Sequence, residues 1–187
     1  EAMIRALLRP EAWPHPVSAV RHLETHISHI LLTGEFAYKI KKAVNLGFLD
    51  FSTLAARCRF CQEELRLNRR LAAELYLEVV PVAGPADAPR VAGAAEPIEY
   101  AVKMCEFAQE ALLDAMLARG ALRPEHIDAL AHRVASFHDS IERANAGSGH
   151  GTSRAIETPM LQNFEQIRPM LASAAERSAL ERLCSWS

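Results

Sequence analysis

The chain has 187 residues, of which 50% are hydrophobic and 24% charged, with 21 Lys and Arg against 23 Asp and Glu. This length fits one domain or one and a part, and the apolar content suffices for a sizeable core. A net charge of −2 excludes nucleic-acid binding through bulk positive charge. No apolar run approaches the roughly 20 residues that a membrane span needs, so we expect neither nucleic acid nor a membrane as a partner.

The amino-terminal segment and the cysteines indicate the cellular compartment. Residues 1–16 lack the apolar stretch and the small-residue cleavage site of a secretory signal. Four cysteines are too few for a disulfide-dense scaffold, so we expect reduced thiols and a cytoplasmic protein. The chain ends in a helical pattern without a closing element, and we therefore expect it to be a piece of a longer protein.

The first half of the chain predicts a helix followed by three strands. Residues 1–9 form an amphipathic pattern that the following prolines end. Residues 17–42 change to a period of two, and Gly34 marks a tight turn between the second and third strands. A cap at Ser52 or Thr53 then begins a long helix that runs to about residue 73.

The second half predicts two more strands and then only helices. The strands cover 77–83 and 98–107, and a loop rich in Pro, Gly and Ala separates them. Helices are predicted over 108–119, 123–145, 159–170 and 174–184, with the Gly-rich segment 147–151 as a connector. Strands segregated from helices indicate an α+β fold. The expected parts are a helical, proline-rich lead-in over 1–16, a sheet-bearing lobe over 17–107 and a helical part over 108–187.

A lysine and a glutamate are the candidate ligand-binding pair. On the third strand Ala37 and Lys39 share a face, and the small Ala37 leaves room for a ligand beside Lys39. Lys41 shares that face too, so either lysine could meet the ligand. On the long helix, Glu64 lies on a face with Leu67 and Leu71. A lysine buried beside such a carboxylate can hold its ammonium against phosphates, although the same pair is also typical of a structural ion pair.

Three stretches carry a family resemblance: LLTGEFAYKIKKAVNLGFLDFSTL, CQEELRLNRRLAAELYLEVVPV and EYAVKMCEF. They resemble the amino-terminal lobe of aminoglycoside phosphotransferase-like proteins. They resemble more closely the bacterial bifunctional proteins in which such a domain precedes a P-loop ATP-binding domain. The resemblance covers roughly residues 17–145. It implies a protein-kinase-like fold, with a small antiparallel sheet and a long helix followed by a partial helical lobe.

The resemblance also implies roles for individual residues. Lys39 would contact the α and β phosphates of ATP, Glu64 would hold Lys39, and Ser28 would lie in the turn that covers the nucleotide. Residues 102–107 would form the hinge. Three of its residues would present their backbone to the adenine: Lys103, Met104 and Cys105. Mg²⁺ is implied as well, with ligands outside this chain.

The residues that would perform phosphoryl transfer are absent from this sequence. The family's catalytic loop, H-G-D-x-x-x-x-N, does not occur, and Asp139 precedes Asn145 by one residue too many. No Walker motif occurs either. In the intact protein the resemblance implies transfer of the γ-phosphate of ATP to a hydroxyl of a small molecule. The alternatives are a degenerate kinase-like module that regulates or docks on a partner P-loop domain, and a coincidental motif match.

Histidine and cysteine side chains can bind metals, but the positions of these residues in the predicted strands and helices do not favour a metal site. By strand alternation His22 and His26 share a face and His29 falls on the other, so we expect no metal triad. Cys58 and Cys61 form a C-x-x-C motif, but inside a predicted helix and without a second pair. We interpret both cysteines as structural.

Overall fold

The computed structural model of the chain describes residues 2–145 and 147–186. Two compact units are present, Glu1–Phe137 and His138–Ser187. The first contains a six-stranded antiparallel sheet and the second is helical, so the α+β class is confirmed. The helical region directly after the sheet belongs to the first unit, which extends well beyond the predicted boundary at residue 107.

The sheet of the first unit is antiparallel throughout. Its strands are β1 (Arg21–Glu24), β2 (Ser28–Leu32), β3 (Phe36–Lys41), β4 (Tyr76–Ala83), β5 (Arg90–Val91) and β6 (Pro97–Cys105). They lie in the order β1-β2-β3-β6-β4-β5, so the last strand inserts between β3 and β4. Gly34 turns β2 into β3 with a φ of +96°, which glycine adopts without strain. The two-residue strand β5 lies in the segment predicted as a loop.

The amino-terminal segment covers one face of the sheet. It consists of helix α1 (Ala2–Leu7) and a 3₁₀ turn (Pro10–Ala12). Leu7 and Trp13 join one core cluster with Tyr38 and other residues of the sheet. The Trp13 ring lies 4.5 Å from that of Tyr38, and its Nε1 donates to the Leu7 carbonyl at 3.1 Å. The predicted lead-in therefore shares its core with the sheet.

A long helix, α2 (Leu54–Ala72), packs against β4 and β6. Its N-cap is Thr53, whose Oγ1 accepts a hydrogen bond from the Ala56 N–H at 3.1 Å. Near the helix start the buried Arg57 donates to Glu99 of β6 at 2.8 Å. Its Nη1 also donates to the Phe51 carbonyl at 2.9 Å. These bonds tie the first turn of α2 to the sheet.

The remaining helices are α3 (Leu113–Ala118), α4 (Pro124–Ser140), α5 (Ser153–Ile167) and α6 (Ala174–Trp186). The predicted start of α5 at Pro159 is wrong, because Thr152 caps the helix earlier and Pro159 lies inside it. The predicted end of α4 at residue 145 is wrong as well, since the helix stops at Ser140. In the described part of the chain, no helix combines the length and apolar composition that a membrane crossing requires.

Candidate functional site

Two lysines of β3 share one carboxylate of α2. Lys39 Nζ lies 2.8 Å from Glu64 Oε1, and Lys41 Nζ lies 2.6 Å from Glu64 Oε2. The alternation of β3 directs both lysines to the face that α2 covers. The Lys41 side chain is only 6% exposed, whereas that of Lys39 is 27% exposed. Lys39 is therefore the lysine whose ammonium a ligand can reach.

The inward face of α2 differs from the predicted apolar stripe. Glu64 points inward, but Leu67 and Leu71, with which the sequence placed it on an apolar face, are 45% and 38% exposed. The buried residues of the helix are Arg57 and Cys61. Glu64 follows them by seven and three residues, which places all three on one side of the helix. The ion pairs of Arg57 and Glu64 thus hold α2 against the sheet at two points.

Glu64 is an ionised carboxylate at neutral pH. Burial is the largest single influence and by itself would raise the pKa of this group. The hydrogen bonds from Lys39 and Lys41 and the two ammonium charges together outweigh burial, and the pKa of Glu64 lies below its usual value. The charged form of the carboxylate is therefore the one that the site stabilises.

An apolar cavity of about 220 Å³ opens beside Lys39. Its walls include Leu23 of β1, Ile30 of β2 and Ala37 of β3, with Met104 and Phe107 from the end of β6 and the segment beyond it. Apart from the Lys39 ammonium, polar groups in the lining come from Tyr76 and Gln109. The cavity can accept a flat apolar group that carries negative charge at the lysine end.

The three predicted hinge residues occupy different surroundings. The Met104 side chain lines the cavity. The Lys103 ammonium lies 3.1 Å from Glu78 and 4.4 Å from the Phe36 ring. In the β3–β6 register Lys103 aligns with Tyr38, so its side chain lies on the face opposite Lys39.

The backbone of these residues belongs to the sheet. Lys103 and Met104 have strand partners on both β3 and β4. The Cys105 N–H donates to the Leu75 carbonyl at 2.9 Å, and the Glu106 N–H donates to the Glu35 carbonyl at 2.9 Å. The expected hinge over 102–107 is thus strand as far as Cys105. Beyond the end of β6, Phe107 and Gln109 line the cavity; Phe107 belongs to the expected hinge, and Gln109 lies outside it.

Ser28 lies at the start of β2, and its side chain is fully buried. Its N–H donates to Thr25 Oγ1 at 3.0 Å, and its carbonyl accepts from the Thr25 N–H at 2.9 Å. Within the described residues its Oγ has no hydrogen-bond partner. The register pairs Ser28 with Lys41, which places this hydroxyl on the face of the two lysines. The hydroxyl is nevertheless outside the lining of the cavity beside Lys39 and has no exposed surface that a ligand could contact.

A second cluster of polar side chains lies on the opposite face of the β1–β2 hairpin. His22 Nε2 and His29 Nδ1 are 3.0 Å apart, and a ligand atom of each of His22, Glu24 and His29 lies within 4.8 Å of the other two. The expectation that His29 faces away from His22 is wrong. Residues 25–27 form a turn that interrupts the alternation, and the antiparallel register sets Glu24 opposite His29. Counting that turn as three residues would have revealed the cluster from the sequence.

Electrostatics favour the neutral imidazole of His29. Burial, followed by the charge of Lys42, holds the pKa of His29 below its usual value. The Lys42 ammonium lies 2.5 Å from Glu24 Oε1 and therefore borders the cluster. All four cysteines are free thiols.

Comparison with known proteins gives a partial match. Uncharacterized proteins of Mycobacterium tuberculosis and Mycobacterium bovis are 32% identical to this chain over 157 residues. The match covers 82% of the chain, which spans about 30% of the length of these curated relatives. No protein-family model matches the chain, and no solved structure matches it. The similarity therefore concerns one part of longer proteins.

Proposed function

We propose that the first unit is the nucleotide-binding lobe of a kinase-like, aminoglycoside phosphotransferase-like protein, with ATP as its nucleotide. The observation that carries this proposal is the Lys39 ammonium, held 2.8 Å from Glu64 beside the apolar cavity. A lysine on the third strand, paired with a glutamate on the following helix, is the arrangement that protein kinases use to hold phosphates. The strand order, with α2 between β3 and β4, supports the same proposal.

The residues of the site fit the chemistry of ATP. The apolar walls formed by Leu23, Ala37 and Met104 suit a purine ring. Phe107 and Gln109 border the same cavity and would lie near the edge of that ring. At the other end, Lys39 would bind phosphate oxygens. Mg²⁺ would neutralise the phosphates, but no Asp or Glu is among the residues described as lining the cavity.

Lys41 gives Glu64 a second cationic partner, which a site with a single lysine lacks. When Lys39 turns its hydrogen bonds towards a phosphate, Glu64 keeps Lys41 as a partner at 2.6 Å. The buried Glu64 carboxylate therefore keeps an ion-pair partner when Lys39 binds a phosphate. Glu64 orients Lys39, and Lys41 stabilises Glu64.

For the whole protein we propose transfer of the γ-phosphate of ATP to a hydroxyl of a small molecule. The alternative is a regulatory or docking module without catalysis, acting on a P-loop ATP-binding domain. The H-G-D-x-x-x-x-N loop does not occur in these 187 residues, and finding it further along the intact protein would favour the enzyme. ATP binding with phosphate transfer by the intact protein supports the enzyme, and ATP binding without transfer supports the module.

Thermal unfolding with and without Mg-ATP tests the site. Ligand at about a hundredfold over Kd adds about 2.7 kcal/mol of stability, a shift of roughly 5–10 °C for a chain of this size. We expect this shift in the wild type and its loss in Lys39→Met. Lys42→Met is the matched control, because its ammonium pairs with Glu24 on the opposite face of the sheet.

Two results would count against the proposal. The absence of a shift in the wild type excludes ATP binding by this chain. A shift of equal size in the wild type and in Lys39→Met places the nucleotide elsewhere. Isothermal titration of the same variants with Mg-ATP provides the affinities directly.

A further inference from the structure

We propose that His22, Glu24 and His29 form a binding site for one divalent transition-metal ion of the Zn²⁺ type. The site lies on the face of the β1–β2 hairpin that α1 borders, which is opposite the face that carries Lys39. It is independent of the nucleotide proposal, because no residue is common to the two sites. Two imidazoles and a carboxylate, with the remaining positions open to water, form a donor set that Zn²⁺ uses in proteins.

The backbone of the hairpin brings the three ligands together. Glu24 of β1 is directly opposite His29 of β2 in the antiparallel register. His22 lies two residues before Glu24, so its side chain leaves the sheet on the same face. The ligands therefore come from rigid, paired strands, and the approach of the side chains follows from the register.

The distances suit a metal ion. The two imidazole nitrogens are 3.0 Å apart, and all three ligand atoms lie within 4.8 Å of one another. A tetrahedral ion with bonds of about 2.0–2.1 Å holds neighbouring ligand atoms about 3.3 Å apart. To bind one ion, the two nitrogens separate by a few tenths of an ångström, and ligand atoms as far as 4.8 Å apart approach by up to about 1.5 Å through side-chain rotation. Hard cations such as Mg²⁺ and Ca²⁺ prefer all-oxygen sites, so these imidazoles select against them.

The surroundings leave space for the ion and its water ligands. A cavity of about 260 Å³ borders the cluster, and Ile4 and Leu8 of α1 contribute to its wall. Lys42 binds Glu24 Oε1 and competes with a metal for that carboxylate. Arg5 also lines this cavity and adds positive charge beside the site. Both cations lower the affinity for a metal, and removal of Lys42 should therefore raise it.

Zinc titration of the tag-free chain tests the site, with a chromophoric chelator as competitor. We expect one equivalent of Zn²⁺ to bind, with affinity falling by about tenfold or more in each of His22→Ala, His29→Ala and Glu24→Gln. His26→Ala is the matched control, because His26 lies in the same hairpin but outside the cluster. Its Zn²⁺ affinity should equal that of the wild type. Lys42→Met should bind Zn²⁺ more tightly.

These variants distinguish the three-ligand metal site from a metal-free histidine pair and from a thiol site. A hydrogen-bonded histidine pair without a metal would leave wild type and His22→Ala/His29→Ala with the same Zn²⁺ binding, which would overturn the proposal. Unchanged affinity in Glu24→Gln would overturn the three-ligand site. Loss of binding in Cys58→Ser with the histidines intact would assign the metal to the thiols instead. Unchanged Zn²⁺ affinity in Lys39→Met is expected, whatever that variant does to ATP binding.

Discussion

Replacement of Arg57 by methionine should strongly destabilise the first unit, because it leaves the buried Glu99 carboxylate without its cationic partner. Arg57 and Glu99 are 8% and 6% exposed, and Arg57 Nε lies 2.8 Å from Glu99 Oε2. Removal of one partner of a buried ion pair costs about 3–5 kcal/mol, since the remaining charge is desolvated and uncompensated. The carbonyls of Phe51 and Ser52 also lose their hydrogen bonds from Nη1. We therefore expect a loss near the upper end, about 4–5 kcal/mol.

Equilibrium unfolding in urea, followed by circular dichroism, measures this loss. Arg66→Met is the matched control on the same helix. Arg66 pairs with Glu63 at 2.8 Å, but the two side chains are 63% and 46% exposed, and loss of an exposed pair costs less than about 1 kcal/mol. The double variant Arg57→Met/Glu99→Leu carries no stranded charge. It should therefore be more stable than Arg57→Met by about 1 kcal/mol or more.

Two outcomes would refute this reasoning. A loss in Arg57→Met no larger than that in Arg66→Met would show that burial does not decide the strength of the pair. A double variant Arg57→Met/Glu99→Leu that is no more stable than Arg57→Met would show that the uncompensated Glu99 charge is not the cause of the loss. In the second case, the loss would come from the packing of α2 against the sheet.

Two further predictions concern titratable groups of α2. Since the pKa of Glu64 is lower in the folded state, its contribution to stability is present above the usual pKa near 4.5 and is lost as the pH falls through the folded value. The difference in unfolding free energy between wild type and Glu64→Gln, measured by urea titration, should be constant from about pH 7 to pH 5 and should narrow below pH 5. A difference that does not narrow between about pH 5 and pH 3 contradicts this. Burial raises the pKa of Cys61 to about 12. Mass spectrometry after iodoacetamide treatment at pH 8 should find Cys58 labelled and Cys61 unlabelled in the native protein, and both labelled in urea; equal native labelling contradicts it.

Local alternation predicted five of the six strands, but it did not predict which residues of neighbouring strands lie opposite each other. The face shared by Ala37, Lys39 and Lys41 follows from a period of two inside one strand, and the structure has it. The face on which His29 lies depends on the register between β1 and β2 across a turn, and alternation along the chain does not determine that register. For that reason the same reasoning succeeded within β3 and failed between β1 and β2.

The helix shows a second limit of sequence patterns. Hydrophobicity placed Leu67 and Leu71 inside, yet the side of α2 that meets the sheet carries Arg57 and Glu64. The partner of Arg57 lies 42 residues along the chain, so its burial depends on long-range pairing that a local window does not contain. The available signal was the spacing of seven between Arg57 and Glu64, which places two charged residues on one side of the helix.

The amino-terminal segment determines where a shortened version of this protein can begin. Leu7 and Trp13 cover Leu31, Tyr38 and Ile40, which lie on the sheet face opposite the two lysines. A fragment that starts at Val17 would keep every strand but would expose this apolar surface to water. Such a surface favours self-association, so the fragment should aggregate although its lysine–glutamate pair is complete. Expression boundaries for this unit should therefore include α1 and not begin at the first strand.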